Sequence, residues 1–222
     1  MKEEINQING ITFNIFEKNN HDVVIKVLAK DKIYFFIAKG FLKKESKNKS
    51  NISIGSISNF EFFNNYGNEN YFLLKKATIE HAFDFNSHEI KSVLEKIFYI
   101  LQQIEESNQN IFETYKYFLE EKDFFNKNLF ITYLLNLTLK TKGKGINNCF
   151  CSICGTNQNL YCFDVNEGGI LCFNHKKETA ISKLDYLKAF YYLGKSYEEY
   201  KRNTNESINN VLFNILYNFN KN

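Results

Sequence analysis

The sequence predicts an α+β protein in which a small β-barrel is followed by a helical region. Three observations predict this class. Short apolar runs rich in Ile, Val, Phe and Tyr fill residues 10–77, apolar stripes with helical spacing follow from residue 88 onward, and a segment rich in Cys interrupts those stripes. Hydrophobic residues make up 44% of the 222 residues, which is enough for a packed core.

The N-terminal third contains five short runs that are typical of strands. Residues that favour turns separate them at Asn19-Asn20, at Asp31-Lys32 and at 66–68. Five short strands in about 70 residues fit a small closed barrel, and the OB-fold is the commonest such barrel that binds single-stranded nucleic acid. The runs are residues 10–16, 23–29, 33–38, 58–63 and 71–77.

Beyond the barrel, five apolar stripes recur with a spacing of three or four residues and predict five amphipathic helices. Asn86 and Glu89 predict a capping box at the start of the first helix. We therefore expect an OB-fold domain at residues 1–80 and a helical domain at 81–222, with a metal-binding segment at 149–176. The five stripes begin at Ile90, Ile111, Phe130, Ala180 and Ile208.

The segment at 149–176 carries the strongest motif in the chain. Cys151, Cys154, Cys172 and His175 form the pattern C-x2-C-x17-C-x2-H, whose spacing is typical of zinc ribbons and knuckles. Zn²⁺ takes four S or N ligands in a tetrahedron, and four protein ligands leave no position open for catalysis, so we expect one structural Zn²⁺. Cys149 could replace Cys151 as a ligand, an alternative that spacing alone leaves open.

The role of Cys162 and the redox state of the cellular compartment complete the interpretation of the cysteines. Cys162 lies in an apolar, strand-like run and is interpreted as a buried filler. No run of about 18 apolar residues is present, and the polar start is not a signal peptide. We therefore expect a chain in a reducing cytosol, where Cys residues favour metal binding over disulfides.

A cluster of positive charge lies between the third and fourth predicted strands. Residues 39–49 contain five Lys and one Glu, and Lys ammonium groups neutralise phosphates and release counterions. Phe41 lies in the same run and could stack on an unpaired base. On composition alone, a solvated surface loop is the favoured interpretation. The lysines are Lys39, Lys43, Lys44, Lys47 and Lys49.

The motifs of common enzymes are absent from the sequence. His88-Glu89 does not continue as H-E-x-x-H, residues 142–145 do not form a phosphate-binding G-x4-G-K-[ST] loop, and no G-x-S-x-G occurs. We therefore expect no catalysis and no small-molecule substrate.

The motifs together resemble the RecO family of bacterial recombination mediators, over residues from about Gly10 to Tyr192. Members commonly carry C-x2-C-G, a Phe-Asp, a Gly-Gly pair and C-x2-C in that order. This chain has Cys151-x2-Cys154-Gly155, Phe163-Asp164, Gly168-Gly169 and Cys172-x2-His175, and its Ala38-Lys39-Gly40 with the basic run is similar to a second family segment. Two features depart from the family: His175 stands where a Cys is expected, and the turn at Asp31-Lys32 lacks a Gly.

The resemblance implies an OB-fold that binds single- and double-stranded DNA and anneals complementary strands. It also implies cooperation with RecR and the single-strand-binding protein to load RecA, in the cytoplasm at the nucleoid. Because of this resemblance, residues 39–49 are interpreted as DNA contacts and not as a solvated loop. Two alternatives remain, a zinc-ribbon module that binds protein or nucleic acid in transcription or translation, and a nucleic-acid enzyme with an unrecognised site.

Overall fold

The computed structural model describes residues 4–64, 71–83, 88–121 and 123–221, and it has the predicted α+β architecture. All five predicted strands and all five predicted helices are present. The turn predicted at 66–68 and the cap predicted at Asn86 lie outside the described residues. The first unit contains β1 (Ile5–Glu17), β2 (Val23–Leu28), β3 (Ile33–Ala38), β4 (Ile57–Asn64), β5 (Tyr71–His81), α1 (His88–Gln102) and α2 (Gln109–Glu120).

The five N-terminal strands form one closed sheet. Their order is β1-β2-β3-β5-β4, and β4 pairs in turn with β1. Four of the strand pairs are antiparallel, whereas β3 and β5 run parallel, with Phe36 opposite Phe72. The parallel pair requires the chain to cross from β3 to β4 before it returns to β5, and residues 39–56 make that crossing.

The barrel interior is filled by the inward-facing residues of each strand. Ile25, Phe36 and Phe60 are fully buried, and the rings of Phe36 and Phe60 stack with centroids 5.1 Å apart. Burial alternates along β2 and β3, because successive side chains of a strand point to opposite faces of the sheet. This alternation decides which residues remain available on the outer surface.

The first two helices belong to the same compact unit as the barrel. α1 packs against β1 and α2 against β5. The buried Tyr115 hydroxyl donates to the carbonyl oxygen of Gly55 at 2.7 Å, and the Lys30 ammonium pairs with Glu113 at 2.5 Å. These contacts attach α2 directly to the loops of the barrel.

The second unit contains four helices and a hairpin. They are α3 (Phe124–Thr141), β6 (Leu160–Asp164), β7 (Gly169–Cys172), α4 (Leu184–Leu193), α5 (Tyr197–Arg202) and α6 (Glu206–Lys221). α6 packs against α3 and α4, and the ring of Phe163 on β6 stacks on Phe190 of α4 with centroids 4.2 Å apart. The buried Tyr200 hydroxyl donates to Asn209 Oδ1 at 2.8 Å.

The compact units divide between Glu120 and Glu121. The change from strands to helices falls between His81 and His88, close to the division that the sequence predicts at residues 80 and 81. The unit boundary at 120 and 121 lies further along the chain than the predicted boundary at 80 and 81, because α1 and α2 pack on the barrel and belong to its unit. The periodicity of the sequence indicates only where strands give way to helices. Two elements, β7 and α5, were not predicted from the sequence.

Candidate metal centre and basic loop

The four predicted metal ligands lie together in the second unit. The ligand atoms of Cys151, Cys154, Cys172 and His175 are all within 4.8 Å of one another and could bind a metal ion. His175 Nδ1 lies 3.6 Å from Cys151 Sγ and 3.4 Å from Cys172 Sγ, and Cys154 Sγ lies 3.9 Å from Cys172 Sγ. Cys151 and Cys172 are buried, while Cys154 is exposed.

Two tight turns bring these ligands together. In the first, Gly155 N–H donates to the Cys151 carbonyl at 2.8 Å, and Gly155 adopts a φ of 72°, which is readily available only to glycine. In the second, a 3₁₀ turn over Phe173–His175 follows Cys172 at the end of β7. Ser152 N–H donates to Ile170 O at 2.8 Å and so ties the first turn to β7.

A second glycine allows the strand that carries Cys172 to approach the preceding loop. Gly169 has a φ of 132°, and a Cβ at this position would lie 2.0 Å from the carbonyl oxygen of Asn147. Ile170 N–H donates to that same oxygen at 3.0 Å. The Gly168-Gly169 pair of the sequence motif therefore has a direct role in placing β7 beside the ligand loop.

The electrostatic environment favours a thiolate at Cys151. Burial raises the pKa of its thiol, but hydrogen bonds from the backbone N–H groups of Cys154, Cys172 and Ile153 outweigh burial and lower the pKa to about 6. The pKa of Cys154 is raised: a backbone N–H at Thr156 acts to lower it, but burial and the neighbouring thiols outweigh that effect. A cation would relieve this crowding of thiols.

The two other cysteines lie outside the cluster. Cys162 is fully buried against the ligands, as predicted for an apolar filler. Cys149 is partly exposed, and its backbone N–H donates to Asn147 Oδ1 at 3.0 Å. The cluster contains Cys151 and not Cys149, so the arrangement favours the original set of ligands.

The predicted basic run forms a loop of consecutive turns between β3 and β4, here called the basic loop (residues 39–49). Backbone bonds from Lys43 to Gly40, from Ser46 to Lys43 and from Lys49 to Ser46 continue along it. All five predicted lysines are exposed: Lys39, Lys43, Lys44, Lys47 and Lys49.

The barrel anchors the basic loop at both ends. Gly40 N–H donates to Asp22 Oδ1 at 2.7 Å, and this bond is the main cause of a lowered pKa at the Asp22 carboxyl. Leu42 N–H donates to His21 O at 3.0 Å, and Ala77 N–H donates to Asn48 Oδ1 at 2.9 Å. The lysines therefore project from a backbone attached to the turn between β1 and β2 and to β5.

Phe41 corrects one expectation from the sequence. Its side chain is only 6% exposed and packs into the barrel core with Ile52, so the ring is not presented to a base. Burial of an aromatic ring stabilises the barrel and keeps the basic loop attached to it. Phe41 is therefore removed from the candidate contacts.

The aromatic residues that do lie on the outer surface of the barrel were not identified from the sequence. Phe16 is 46% exposed and pairs with Val24, which pairs with Ile37. On the same outer surface Lys26 of β2 is paired with Phe35 of β3, and the ring of Phe35 lies 5.6 Å from that of Tyr71. The signal in the sequence is that residues 23–29 and 33–38 are apolar at nearly every position, so both faces of these strands carry apolar side chains.

None of the described helices combines the length and the apolar character needed to cross a bilayer. Comparison of the chain with protein-family models and with curated proteins found no match.

Proposed function

We propose that this chain is a non-catalytic DNA-binding protein of recombinational repair, of the RecO type. It would bind single- and double-stranded DNA, anneal complementary strands, and act with RecR and the single-strand-binding protein to load RecA. The observation that carries the proposal is the exposed basic loop at the edge of a closed barrel whose outer face carries Phe16 and Phe35.

The connectivity of the barrel supports an OB-fold. The cyclic order β1-β2-β3-β5-β4, with only the β3–β5 pair parallel, is the arrangement expected of that five-stranded barrel. OB-folds bind oligonucleotides on the outer face of their second and third strands. On this chain that face carries Phe16, Val24, Ile37, Phe35 and Lys26.

The basic loop supplies the sequence-independent part of binding. Five exposed ammonium groups can neutralise phosphates and release condensed counterions. Lys39 and Lys43 also line a surface depression of about 540 Å³ together with His21 and Asp22. Lysines that contact the phosphates of two strands lower the repulsion between the strands, which is the barrier to annealing.

We propose Zn²⁺ as the ion of the metal centre. A tetrahedral site with Zn–S of about 2.3 Å and Zn–N of about 2.0 Å has S···S edges of about 3.8 Å and S···N edges of about 3.5 Å. Three of the six observed separations are close to these values, 3.9 Å for Cys154–Cys172, and 3.6 and 3.4 Å from His175 to Cys151 and Cys172, and all six are within 4.8 Å. A bound Zn²⁺ would fix the 149–176 segment, and the four protein ligands give it a structural role.

The salt dependence of DNA binding tests the role of the basic loop. For single strands, the slope of log affinity against log salt is about −0.7 for each phosphate contacted. Replacing all five loop lysines with Gln should therefore flatten the slope by up to about 3.5 and slow strand annealing. The measurement is fluorescence anisotropy with a labelled oligonucleotide across a salt series, beside an annealing assay.

The matched control removes the same charge from exposed lysines elsewhere in the chain and should leave the slope nearly unchanged. Equal slopes for the loop variant and the wild type would remove the basic loop from the binding site. Binding without annealing would favour the zinc-ribbon alternative, and cleavage of the oligonucleotide with Mg²⁺ or Mn²⁺ would favour an enzyme. The control lysines, each replaced with Gln, are Lys76, Lys144, Lys183, Lys188 and Lys221.

A further inference from the structure

The hairpin beside the metal centre presents two aromatic rings to solvent. Tyr161 on β6 is 42% exposed and Phe173, just after β7, is 50% exposed. Their ring centroids are 5.3 Å apart, and the rings are nearly perpendicular, with an interplanar angle of 89°. Exposed rings this close together form a platform, whereas single exposed apolar residues are common on any surface.

An irregularity of the backbone directs Tyr161 outward. Leu160 pairs with Cys172 and Cys162 pairs with Leu171, so Tyr161 is the extra residue of a β-bulge. Asn159, just before it, has a φ of 51°, and its carbonyl accepts from Phe173 N–H at 3.0 Å. β-bulges re-aim side chains and are over-represented next to functional sites.

The ammonium group of Lys176 lies close to both rings. Lys176 Nζ lies 4.1 Å from the centroid of Phe173 and 5.7 Å from that of Tyr161. The neighbouring Lys177 pairs with Glu167. Within the part of the chain that the structure describes, no carboxylate lies in ion-pair contact with Lys176, so its charge is available to an anion.

The same two rings line a surface depression of about 570 Å³, which also opens onto Cys154 and Cys172 of the metal centre. Three amide side chains also line it, those of Gln158, Asn159 and Asn174. Amides donate and accept hydrogen bonds and match the edges of unpaired bases, while aromatic rings stack on the faces of those bases. The combination of rings, amides and one cation suits a nucleotide better than it suits an apolar protein surface.

We propose that this surface is a second DNA contact, which holds an unpaired base of a single strand. The base stacks on Tyr161 or Phe173, its edge meets the amides, and Lys176 contacts the adjoining phosphate. The inference rests on the proposed function for the choice of DNA as the strand. It adds a site in the second unit that is separate in sequence from the basic loop.

Photo-crosslinking of the full-length, metal-loaded protein tests this inference. The probe is a single-stranded oligonucleotide containing 5-iododeoxyuridine, and cross-linked peptides are identified by mass spectrometry. We expect cross-links in the peptide that contains Tyr161 or in the one that contains Phe173. This map requires no substitution, so it decides the question even if a variant loses its metal.

Affinity provides the second measurement. Tyr161→Ala should weaken binding of the oligonucleotide by roughly 5- to 150-fold, because base–aromatic stacking has about that effect. Tyr161→Phe keeps the ring and should bind as the wild type does. The control is Tyr117→Ala, which removes a ring that is 61% exposed on α2, and it should not change the affinity.

The outcomes separate this inference from the proposed function. Unchanged affinity in Tyr161→Ala, with cross-links confined to residues 4–83, overturns the second site and leaves the barrel site standing. Cross-links at Tyr161 that persist when the five loop lysines are replaced support the second site, while the salt slope of the same variant decides the role of the basic loop. A wild-type protein that does not bind the oligonucleotide at low ionic strength overturns both.

Discussion

Two phenylalanines of the first unit have opposite roles that the sequence does not distinguish. Phe41 follows β3 in the basic loop and is buried in the barrel core, whereas Phe16 on β1 is 46% exposed. The exposure of Phe16 follows from the alternation of side chains along a strand, because its neighbours on β1 point to the opposite face of the sheet. No such rule applies to Phe41, since the direction of its side chain depends on the turns of the loop.

These two positions give a residue-scale prediction. Phe41→Ala should lower the free energy of unfolding by about 3–5 kcal/mol, because it leaves a cavity in the core. Phe16→Ala should change that free energy by less than about 0.5 kcal/mol, as at most surface sites. Phe16→Ala should nevertheless weaken oligonucleotide binding if the outer face stacks on bases. Urea denaturation and anisotropy measure the two effects, and the opposite pattern would contradict the assignment of these rings.

At the scale of elements, segments with a clear apolar pattern could be predicted, whereas α5 and β7 could not. The stripe that begins at Ile208 predicts α6 because it spans several turns. α5 has only six residues, too few to show a period, although Ser196 caps it by accepting from Glu199 N–H at 3.2 Å. β7 has four residues, all buried, and therefore shows no alternation.

The candidate sites differ in the same way. The metal ligands could be predicted because a fixed spacing and two tight turns determine which thiols meet. The ring platform could not, because Tyr161 and Phe173 are brought together by a bulge and by the pairing of β6 with β7. Contacts that depend on the register between strands leave no local pattern in a single sequence.

The metal-binding segment gives an element-scale prediction. Cys172→Ser should abolish stoichiometric Zn²⁺ and destabilise the second unit, because structural zinc supplies about 10–16 kcal/mol of apparent binding free energy in zinc-finger peptides. Cys149→Ser is the matched control and should retain one Zn²⁺, since Cys149 lies outside the cluster. Elemental analysis and thermal unfolding measure both. Loss of zinc in Cys149→Ser with retention in Cys172→Ser would reassign the ligands.

At the scale of the whole molecule, the barrel depends on the two helices that follow it. The Phe83 and Phe118 rings pack with centroids 5.8 Å apart, and Tyr115 bonds to the barrel loop through Gly55. Lys30 at the end of β2 contacts both Glu113 and the ring of Phe112. The unit that should fold independently is therefore residues 1–120, which is longer than the domain suggested by the change of periodicity.

Two fragments test this division. Residues 1–120 should unfold cooperatively and bind oligonucleotide with a salt slope close to that of the full chain, because they contain the barrel and the basic loop. Residues 1–80 lack α1 and α2, which leaves the apolar surface under Tyr115 open to water, and they should aggregate or unfold without a cooperative transition. Circular dichroism during urea titration measures folding, and anisotropy measures binding. If residues 1–80 unfold with the same free energy as residues 1–120, α1 and α2 add nothing to the barrel, and the shorter domain is correct.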